Sequence, residues 1–598
     1  MGFAPGVPQP GWLVIQQDSA TATAASFSIS TNNFATLGTH TTSIRFLTGK
    51  ADGTKAVFKE VSVTLNVRDS VRVDTPTLTF DSVQLAAQSP KSQTVNVQSN
   101  NQSLQWTAKS DAEWLNVSPQ SGSGNTTLSI STNRTELAAG TYTAAITVRD
   151  TNNIDAKILV TLNIQPRIVY AQKRGVGLVS TANIQKLDDK IIMVDSAQLL
   201  TPNWQATSNQ SWLSISDISN NQISIHANAD MLTNGIHFAK VNVTSIVDNK
   251  IFSESVNVGF YKTNELSEEG EIAQIGLYSS DYESLGLALA ADPIRPYLYT
   301  TVKGSSLIRR FNIHTGDTDS PFPLIDDEQF SAITLSSDGD TLYAHSSVEN
   351  RVYKLDLIKL SWSYFSFSGG FGNPSRVTEL HPNGKSILLI HEGMTILDAT
   401  SGAVLASQSS FGGKNNVSAF AVSGNQNVLY GIALGCSGCD YLLRYEINYN
   451  HLVNLLSIYN SHDIFASISN GRDVATNEDG SRVNTASGGY YKFPVFNYDS
   501  LNGLKYSGDW AGQAYPANVE YGANGILYAG LDSLYADYAV YAYDKNGTLK
   551  NSYVVNGVLL PGDKGVQISG DGTRLLLVSF DIISAGTTSL SSFSTVNY

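Results

Sequence analysis

Aromatic, arginine and asparagine side chains recur in glycine-rich stretches of the C-terminal half, and these residue types suit recognition of a polar ligand. Aromatic faces stack on ligand surfaces, whereas guanidinium and amide groups hydrogen-bond to oxygen atoms. Three polar residues stand at equivalent places, before or at the start of short apolar runs, and are predicted to point toward one another: Arg376, Arg472 and Asn518. The aromatic candidates are Phe371, Trp510 and Tyr515. The pattern predicts a ligand-binding pocket; the alternative is that these stretches only pack and cap the fold.

A catalytic set of residues is not recognisable in the sequence. Neither G-x-S-x-G nor H-E-x-x-H occurs, and the nine histidines are scattered. The adjacent carboxylates Asp326, Asp327 and Glu328 could form an acid pair, but a solvated acidic loop is the favoured interpretation. We therefore expect binding rather than catalysis, with no catalytic residues, no cofactor and no metal.

The only two cysteines, Cys436 and Cys439, lie in the stretch GCSGCD. Two cysteines alone cannot supply a four-ligand zinc site, and no histidine follows them as haem attachment requires. A small disulfide loop is favoured over free thiols, and a redox motif ranks last because no βαβ pattern surrounds the pair.

Charge and composition exclude several classes of protein. The 598-residue chain has 38 basic and 52 acidic residues, a net charge of -14, and no basic run, which argues against nucleic-acid binding. No stretch of 18 apolar residues could span a membrane. Few charges, many small polar residues, 28 tyrosines and 22 phenylalanines are typical of β-rich extracellular, cell-surface or periplasmic proteins. The start MGFAPGVPQPGW lacks the features of a signal peptide.

The first 260 or so residues contain a repeat. Trp106 and Trp114 recur 98 residues later as Trp204 and Trp212, and the stretch ISTN occurs at 29–32 and 130–133. Short alternating apolar runs separated by Gly, Asn and Ser turns predict sandwiches of two β-sheets.

The tryptophans of this repeat are predicted to have two different roles. Trp106 and Trp204 alternate with small apolar residues and should fill the core. Trp114 and Trp212 share the strand face opposite the neighbouring leucines, so we expect them at a rim or surface. A contact at a sheet edge or domain junction is favoured there, with a sugar-stacking platform as the alternative.

The stretches EWLNVSPQSGSG, LSISTN and GTYTAAITV resemble the BACON domain, a bacterial immunoglobulin-like module. The resemblance implies three such domains: a partial one over 1–69, one over 70–165 and a divergent one over 166–262. Carbohydrate binding has been proposed for the family, although many members look like spacers. The first copy has 11 residues before its Trp-Leu pair against about 40 in the second, which favours further chain upstream of residue 1 over completion by another chain.

A second repeat fills residues 265–598. Turn residues between paired short apolar runs recur at intervals of 46, 45, 42, 54, 45 and 47 residues, at Asp292, Asp338, Asn383, Asn425, Asp479, Asn524 and Asp571. This spacing predicts a seven-bladed β-propeller, with the stretch Glu271 to Ser279 completing the last blade. The pattern resembles YVTN-type and lactonase-type propellers. The predicted fold class is therefore all-β, with tandem immunoglobulin-like sandwiches followed by a propeller.

Together these features favour an exported bacterial surface or periplasmic protein whose sandwiches form a stalk and whose propeller binds a glycan or an extracellular protein. One alternative is a scaffold or adhesin component with protein partners alone. The other, which the resemblance to lactonase propellers implies, is a lactonase-like or glycan-cleaving enzyme.

Overall fold

The computed structural model describes residues 2–3, 10–21, 24–31, 37–48, 57–86, 88–197, 204–247, 250–277, 288–302, 305–346, 348–367, 376–391, 395–407, 417–424, 426–433, 440–447, 453–460, 468, 471–488, 492–512, 515–532, 539–560, 565–581 and 587–595. These residues form β-strands, turns and two short 3-10 helices, Ala229–Met231 and Pro382–Gly384. Among them, no helix has the length and apolar character needed to cross a membrane. The chain divides into two compact units, Met1–Arg167 and Ile168–Tyr598.

The first module of the N-terminal unit spans residues 2–67 and has two small sheets. One sheet contains Gly2–Phe3, Gly38–Thr48 and Val57–Val67, and the other is the hairpin of Leu13–Ala20 and Ala25–Thr31. Among its described residues, the buried hydrophobic side chains are Trp12, Leu13 and Ile44.

The second module spans residues 71–165 and has two larger sheets that enclose one apolar core. The four-stranded sheet contains Val71–Val73, Gln93–Ser99, Leu115–Ser118 and Thr126–Thr132. The five-stranded sheet contains Thr77–Val83, Gln105–Ser110, Ser121–Ser123, Gly140–Asp150 and Asp155–Gln165. Alternation places every second side chain in the core, as in Thr126–Thr132, where Leu128 and Ile130 are buried.

The third module, residues 168–262, repeats this arrangement at the start of the C-terminal unit. Its four-stranded sheet contains Val169–Ala171, Asp188–Asp195, Leu213–Ser219 and Gln222–Ala227. Its five-stranded sheet contains Gly175–Ser180, Gln185–Lys186, Trp204–Ser208, Gly235–Val247 and Lys250–Lys262.

Residues 270–595 form a β-propeller, as the sequence predicts. Its described residues form seven antiparallel sheets, in chain order: Leu289–Ala291, Tyr297–Thr301 and Ile308–Asn312; Phe330–Leu335, Thr341–Ser346, Arg351–Asp356 and Ser361–Ser366; Val377–Leu380, Ile387–Ile390, Thr395–Asp398 and Val404–Ala406; Val417–Val422, Val428–Ala433, Tyr441–Ile447 and Val453–Asn460; Gly471–Thr476, Arg482–Ser487, Lys492–Asp499 and Gly503–Ala511; Pro516–Tyr521, Leu527–Leu531, Val540–Tyr543 and Leu549–Tyr553; and Val558–Leu559, Val566–Ile568, Arg574–Phe580, Thr587–Ser594 and Gly270–Leu277.

The two ends of the propeller meet in the last sheet. Gly270–Leu277 pairs antiparallel with Thr587–Ser594, so the predicted closing strand is confirmed. Such a closure removes two sheet edges that would otherwise expose unpaired backbone groups. The buried side chain of Arg574 stabilises the meeting of the two chain ends of the propeller. It donates hydrogen bonds to Ser592 Oγ at 2.8 Å and to Glu269 Oε1 at 2.9 Å.

The third module and the propeller belong to the same compact unit. From the sequence, residues 166–262 are predicted to be part of a stalk and residues 265–598 to be a propeller. In the structure, the third module packs directly on the propeller.

Candidate functional site

The third module lies on one side of the propeller, which we call the turn side. This side carries the turn between the first and second strands of the first six sheets, and in the last sheet the turn between Val566–Ile568 and Arg574–Phe580. Within the described residues these turns are 292–296, 336–340, 381–386, 423–424 with 426–427, 477–481, 522–526 and 569–573. Because the first strands run in the same direction along the channel, their turns converge around one of its ends.

Glycines in two neighbouring strands of the third module allow a close backbone approach to these turns. A Cβ atom on Gly259 would lie 1.8 Å from the carbonyl oxygen of Ile294, and one on Gly175 would lie 2.6 Å from that of Ser337. A Cβ on Gly177 would lie 2.9 Å from the backbone nitrogen of Asp571. Any larger residue would therefore push the strands away from the propeller.

Hydrogen bonds extend the contact to further turns. Asn257 Nδ2 donates to the Asp338 carbonyl at 2.9 Å, and Arg174 donates to the Gly384 carbonyl at 2.6 Å. Asn427 Nδ2 donates to the Tyr170 hydroxyl at 3.2 Å, and Gln172 donates to Glu478. Together with the glycine contacts, these bonds connect the third module to the turns of six of the seven sheets.

A cavity of about 490 Å³, which we call the hub cavity, remains between the third module and the turn side. Its wall includes an ion pair of the third module, Lys186 and Asp189, whose charged atoms are 2.7 Å apart. The propeller contributes His381, Asn524 and Asp571. Charged and amide groups therefore line part of this cavity, and the larger part of its wall is apolar.

Two titratable groups near the hub cavity have shifted pKa values because they are buried. Burial lowers the pKa of His381 to about 4, and its Nε2–H donates to the Gln172 carbonyl at 2.8 Å. Burial raises the pKa of Glu379 to about 7, while one of its oxygens accepts from the Ser337 backbone N–H at 3.1 Å. His381 is therefore neutral at pH 7 and carries its proton on Nε2, where it donates to the third module.

Ser267, His314 and Asp571 form a buried chain of polar contacts. Ser267 Oγ lies 2.8 Å from His314 Nδ1, and His314 Nε2 lies 3.3 Å from Asp571 Oδ2. Although burial opposes it, the hydrogen bond from His314 holds the pKa of Asp571 well below its ordinary value. Ser267 is 3% exposed and His314 is fully buried, so no substrate can reach them. We infer that these polar contacts have a structural role: they hold the segment that follows the third module against the last sheet.

The channel of the propeller contains a second cavity, of about 260 Å³. Inner strands of four sheets line it, and its polar groups are Thr334, Arg376, Thr378 and Gln567. Pro293 lines both this channel cavity and the hub cavity, so the two adjoin.

Only one of the predicted polar site residues lines the channel cavity. Arg376 precedes Val377–Leu380 and is half-buried there. Arg472 lies on Gly471–Thr476, and Asn518 is fully buried on Pro516–Tyr521, where its Nδ2 donates to the Leu560 carbonyl at 3.0 Å. The cavity wall, as far as the structure describes it, does not include Arg472 or Asn518, so the predicted convergence of the three is not observed.

The aromatic candidates lie elsewhere. Trp510 is half-buried on the outer strand Gly503–Ala511, where its ring centroid is 5.7 Å from that of Tyr543. It lines a separate cavity of about 400 Å³ with Arg482, Asp509 and Lys545. Tyr515 is 39% exposed. Phe371, Cys436 and Cys439 lie outside the described residues.

The structure also places the tryptophans of the repeat. Trp106 and Trp204 are buried, as predicted, and each indole N–H finds an acceptor, the Gly124 carbonyl at 3.1 Å and Asn221 Oδ1 at 2.9 Å. Trp212, expected at a rim or surface, is only 6% exposed and packs on Phe260, so that prediction is wrong. The strand begins at Leu213, and its alternation of faces therefore does not extend to Trp212. Its buried ring has no free face for a sugar.

Trp114 is half-buried and packs against the core of the second module. It meets Tyr142 edge to face, with ring centroids 6.4 Å apart. The ring contact shows that Trp114 packs on its own module; the contact at a sheet edge and the sugar platform stay predictions.

The contact surface of the third module was not predicted from the sequence. Its signal is glycine at alternate positions of GVG, residues 175–177, and again at Gly259. Alternate glycines on the outward face of a strand indicate that another backbone comes close.

Comparison with known proteins agrees with parts of this description. The sequence profile of the viral BACON domain matches residues 70–161, which form most of the second module, so the resemblance predicted for that module is confirmed. The curated proteins contain no match to this chain.

Several solved structures are similar to part of this chain. Hydrazine synthase of Kuenenia stuttgartiensis is 13% identical, with 56% of this chain and 98% of that chain covered and a TM-score of 0.38. The β-propeller domain of Cps50 (Swd1) from Myceliophteria thermophila is 11% identical, covering 54% and 99%, with a TM-score of 0.37. The WD40 repeats of RRP9 are 12% identical, covering 55% and 100%, also at 0.37. At these scores the similarities carry no argument about this chain.

Proposed function

We propose that this protein is a non-catalytic recognition protein whose propeller binds a polar glycan at the end of its channel opposite the third module. The observation that carries the proposal is the contact of the third module with the turn side. Because this contact covers one end of the channel, a ligand for the channel cavity has to enter from the other end.

The chemistry of the channel cavity suits a neutral or anionic sugar. A guanidinium, two hydroxyls and an amide offer donors and acceptors to hydroxyl or carboxylate oxygens. The described wall has no carboxylate pair, which favours binding over glycan cleavage.

Several finer features belong to the same proposal. The three modules are tandem immunoglobulin-like sandwiches, each of the seven sheets is one blade, and the protein is displayed on a cell surface, in a periplasm or on a virus particle. The low content of charged residues, 15%, and the profile match of the second module support this location without depending on a particular organism.

Glycan-array and polysaccharide-pulldown measurements on the full chain test the proposal. Arg376→Ala should weaken binding of any captured glycan at least tenfold, because one charge-assisted hydrogen bond is lost. The matched control is Arg309→Ala, since Arg309 is exposed on the strand Ile308–Asn312 and does not line the channel cavity. Equal binding by Arg376→Ala and the unchanged chain would refute the channel site, and capture of no glycan would favour a protein ligand instead.

A further inference from the structure

The two tryptophans of the propeller differ at their indole N–H groups. Each lies on the outermost strand of its sheet, Trp362 on Ser361–Ser366 and Trp510 on Gly503–Ala511. The N–H of Trp362 donates to the Pro323 carbonyl at 2.9 Å. The N–H of Trp510 has no acceptor among the described residues, although Trp510 is half-buried. Because an indole N–H in the protein normally finds a partner, this free N–H indicates a place for a ligand or for water.

The next sheet holds the Trp510 ring in one position. The ring packs on that of Tyr543, with centroids 5.7 Å apart. Gly547 borders the N–H edge, since a Cβ atom there would lie 2.5 Å from Trp510 Nε1, and its φ of 78° also favours glycine. Glycine at this position therefore leaves the edge uncovered by a side chain. A ring that is fixed before binding loses little conformational entropy when a ligand stacks on it.

Polar groups from two sheets surround this ring in the cavity of about 400 Å³, which we call the Trp510 cavity. The fifth sheet contributes Arg482 and Asp509, and the last hairpin of the sixth contributes Lys545 and Asn546. The volume lies within the range of about 300 to 1,000 Å³ that is usual for ligand pockets. An aromatic ring bordered by charged and amide groups suits a sugar. The CH groups of a sugar ring stack on the indole, and its hydroxyls exchange hydrogen bonds with the polar groups.

The charged groups of the Trp510 cavity favour an anionic sugar. Lys545 is exposed and has no carboxylate partner among the described residues. Asp509 is partly neutralised by Lys492, whose ammonium nitrogen lies 3.6 Å from its Oδ2. Arg482 adds a second positive charge to the wall. This part of the surface is thus locally positive in a chain whose net charge is -14, and an ammonium group without a partner attracts a carboxylate.

We propose that the Trp510 cavity binds a carboxylate-bearing sugar unit. The sugar ring stacks on Trp510, its carboxylate pairs with Lys545, and Asp509 and Asn546 hydrogen-bond to its hydroxyls. The described wall of the channel cavity includes none of these residues, so this is a second site whose occupation does not depend on the channel site.

Nuclear magnetic resonance of the indole N–H groups tests this proposal in the full chain, with isotope-labelled tryptophan. The probes are trigalacturonate, a hyaluronan tetrasaccharide and sialyllactose, each at about 10 mM, which saturates a site with a Kd of about 1 mM or below. At least one probe should move the signal of Trp510, which is identified by its loss in Trp510→Leu. The signal of Trp362 should not move, because its N–H is bonded to the Pro323 carbonyl.

Variants and a neutral probe test the role of each group. The methyl ester of the bound sugar lacks the negative charge and should bind at least tenfold more weakly, and Lys545→Met should remove this preference. Trp510→Leu should abolish binding of the acid, whereas the matched control Trp362→Leu should bind it as the unchanged chain does. Arg376→Ala should also leave this binding unchanged, which separates the Trp510 cavity from the channel site.

Three results would overturn the proposal. The first is a Trp510 signal that moves with none of the three sugars. The second is equal affinity for the acid and its methyl ester. The third is binding that Arg376→Ala abolishes and Trp510→Leu leaves intact, which would assign the sugar to the channel cavity.

Discussion

The second and third modules have the same strand arrangement but present different outer surfaces. Gly140 pairs with Ile164 in one and Gly235 with Lys262 in the other, so their long hairpins are in the same register. The neighbouring strand, parallel in both, alternates between exposed and buried residues at Thr77–Val83 but is buried throughout at Gly175–Ser180. The outer face of this strand is free in the second module and covered by the propeller in the third.

The difference lies in the outward residues and hardly at all in the core. Core positions are aliphatic or aromatic in both modules, for example Ile158, Val160 and Leu162 against Val256, Val258 and Phe260. The outward positions Thr77, Thr79 and Thr161 correspond to Gly175, Gly177 and Gly259. A shared core thus sets the fold of both modules, whereas three outward glycines allow one of them to pack on the propeller.

Removal of the tryptophan before the Leu-x-aliphatic strand should have the largest effect, and it should differ between the modules. Trp212→Ala empties a buried site and should lower the free energy of unfolding by about 4 kcal/mol. Trp114→Ala removes a half-buried ring and should cost about 2 kcal/mol. Urea unfolding followed by circular dichroism measures both; equal losses would contradict the difference in burial.

Closing the space at an outward glycine should have the next largest effect. Gly259→Val places a side chain against the Ile294 carbonyl. We expect the free energy of unfolding to fall by about 3 kcal/mol, because a backbone carbonyl, unlike a side chain, cannot rotate away. Limited proteolysis should then cleave the segment between the third module and the propeller sooner. The control is Thr161→Val, which changes the equivalent outward position of the second module and should stay within about 0.5 kcal/mol.

Sequence patterns predict the strands and cores of the modules and the propeller, but they do not predict which module docks on the propeller. The propeller, its closing strand at Gly270–Leu277 and the buried Trp106 and Trp204 follow from local periodicity and spacing, which the fold preserves. Docking of the third module does not follow from local patterns. The need for glycine at position 259 comes from the Ile294 carbonyl, which belongs to a turn residue 35 positions away in the sequence. Trp212 was misplaced because alternation was extended one residue beyond the start of its strand. The pocket residues were assigned by equivalent position alone, which does not determine whether Asn518 points into the channel or between sheets.

Protonation of His381, a propeller residue that donates to the Gln172 carbonyl of the third module, should destabilise the docked module in acid. The folded-state pKa of His381, about 4, is below its ordinary value of 6.5, so the unfolded chain binds the proton more readily. Stability is therefore lost as the pH falls from about 6.5 toward 4, by about 2 kcal/mol at pH 5. Glu379, with a pKa of about 7, acts in the opposite direction over the same range, because its folded form binds the proton first.

The variant His381→Gln separates these two contributions. It keeps a side-chain donor for the Gln172 carbonyl and cannot titrate. Between pH 7 and pH 5 its free energy of unfolding should improve, relative to that of the unchanged chain, by about 2 kcal/mol. Parallel pH profiles for the two proteins would contradict this role of His381.

The smallest expected effect concerns a single hydrogen bond at the docked face. Asn257→Ala removes the bond from Nδ2 to the Asp338 carbonyl and should cost about 1 kcal/mol, since the carbonyl is left with one partner fewer. Its counterpart in the second module is Leu159, which is 57% exposed, and Leu159→Ala should change stability by less than about 0.5 kcal/mol. Combining Asn257→Ala with Gly259→Val tests whether the two act on one interface. If the valine already separates the surfaces, the alanine should add nothing, whereas fully additive losses would mean that docking persists in the presence of the valine.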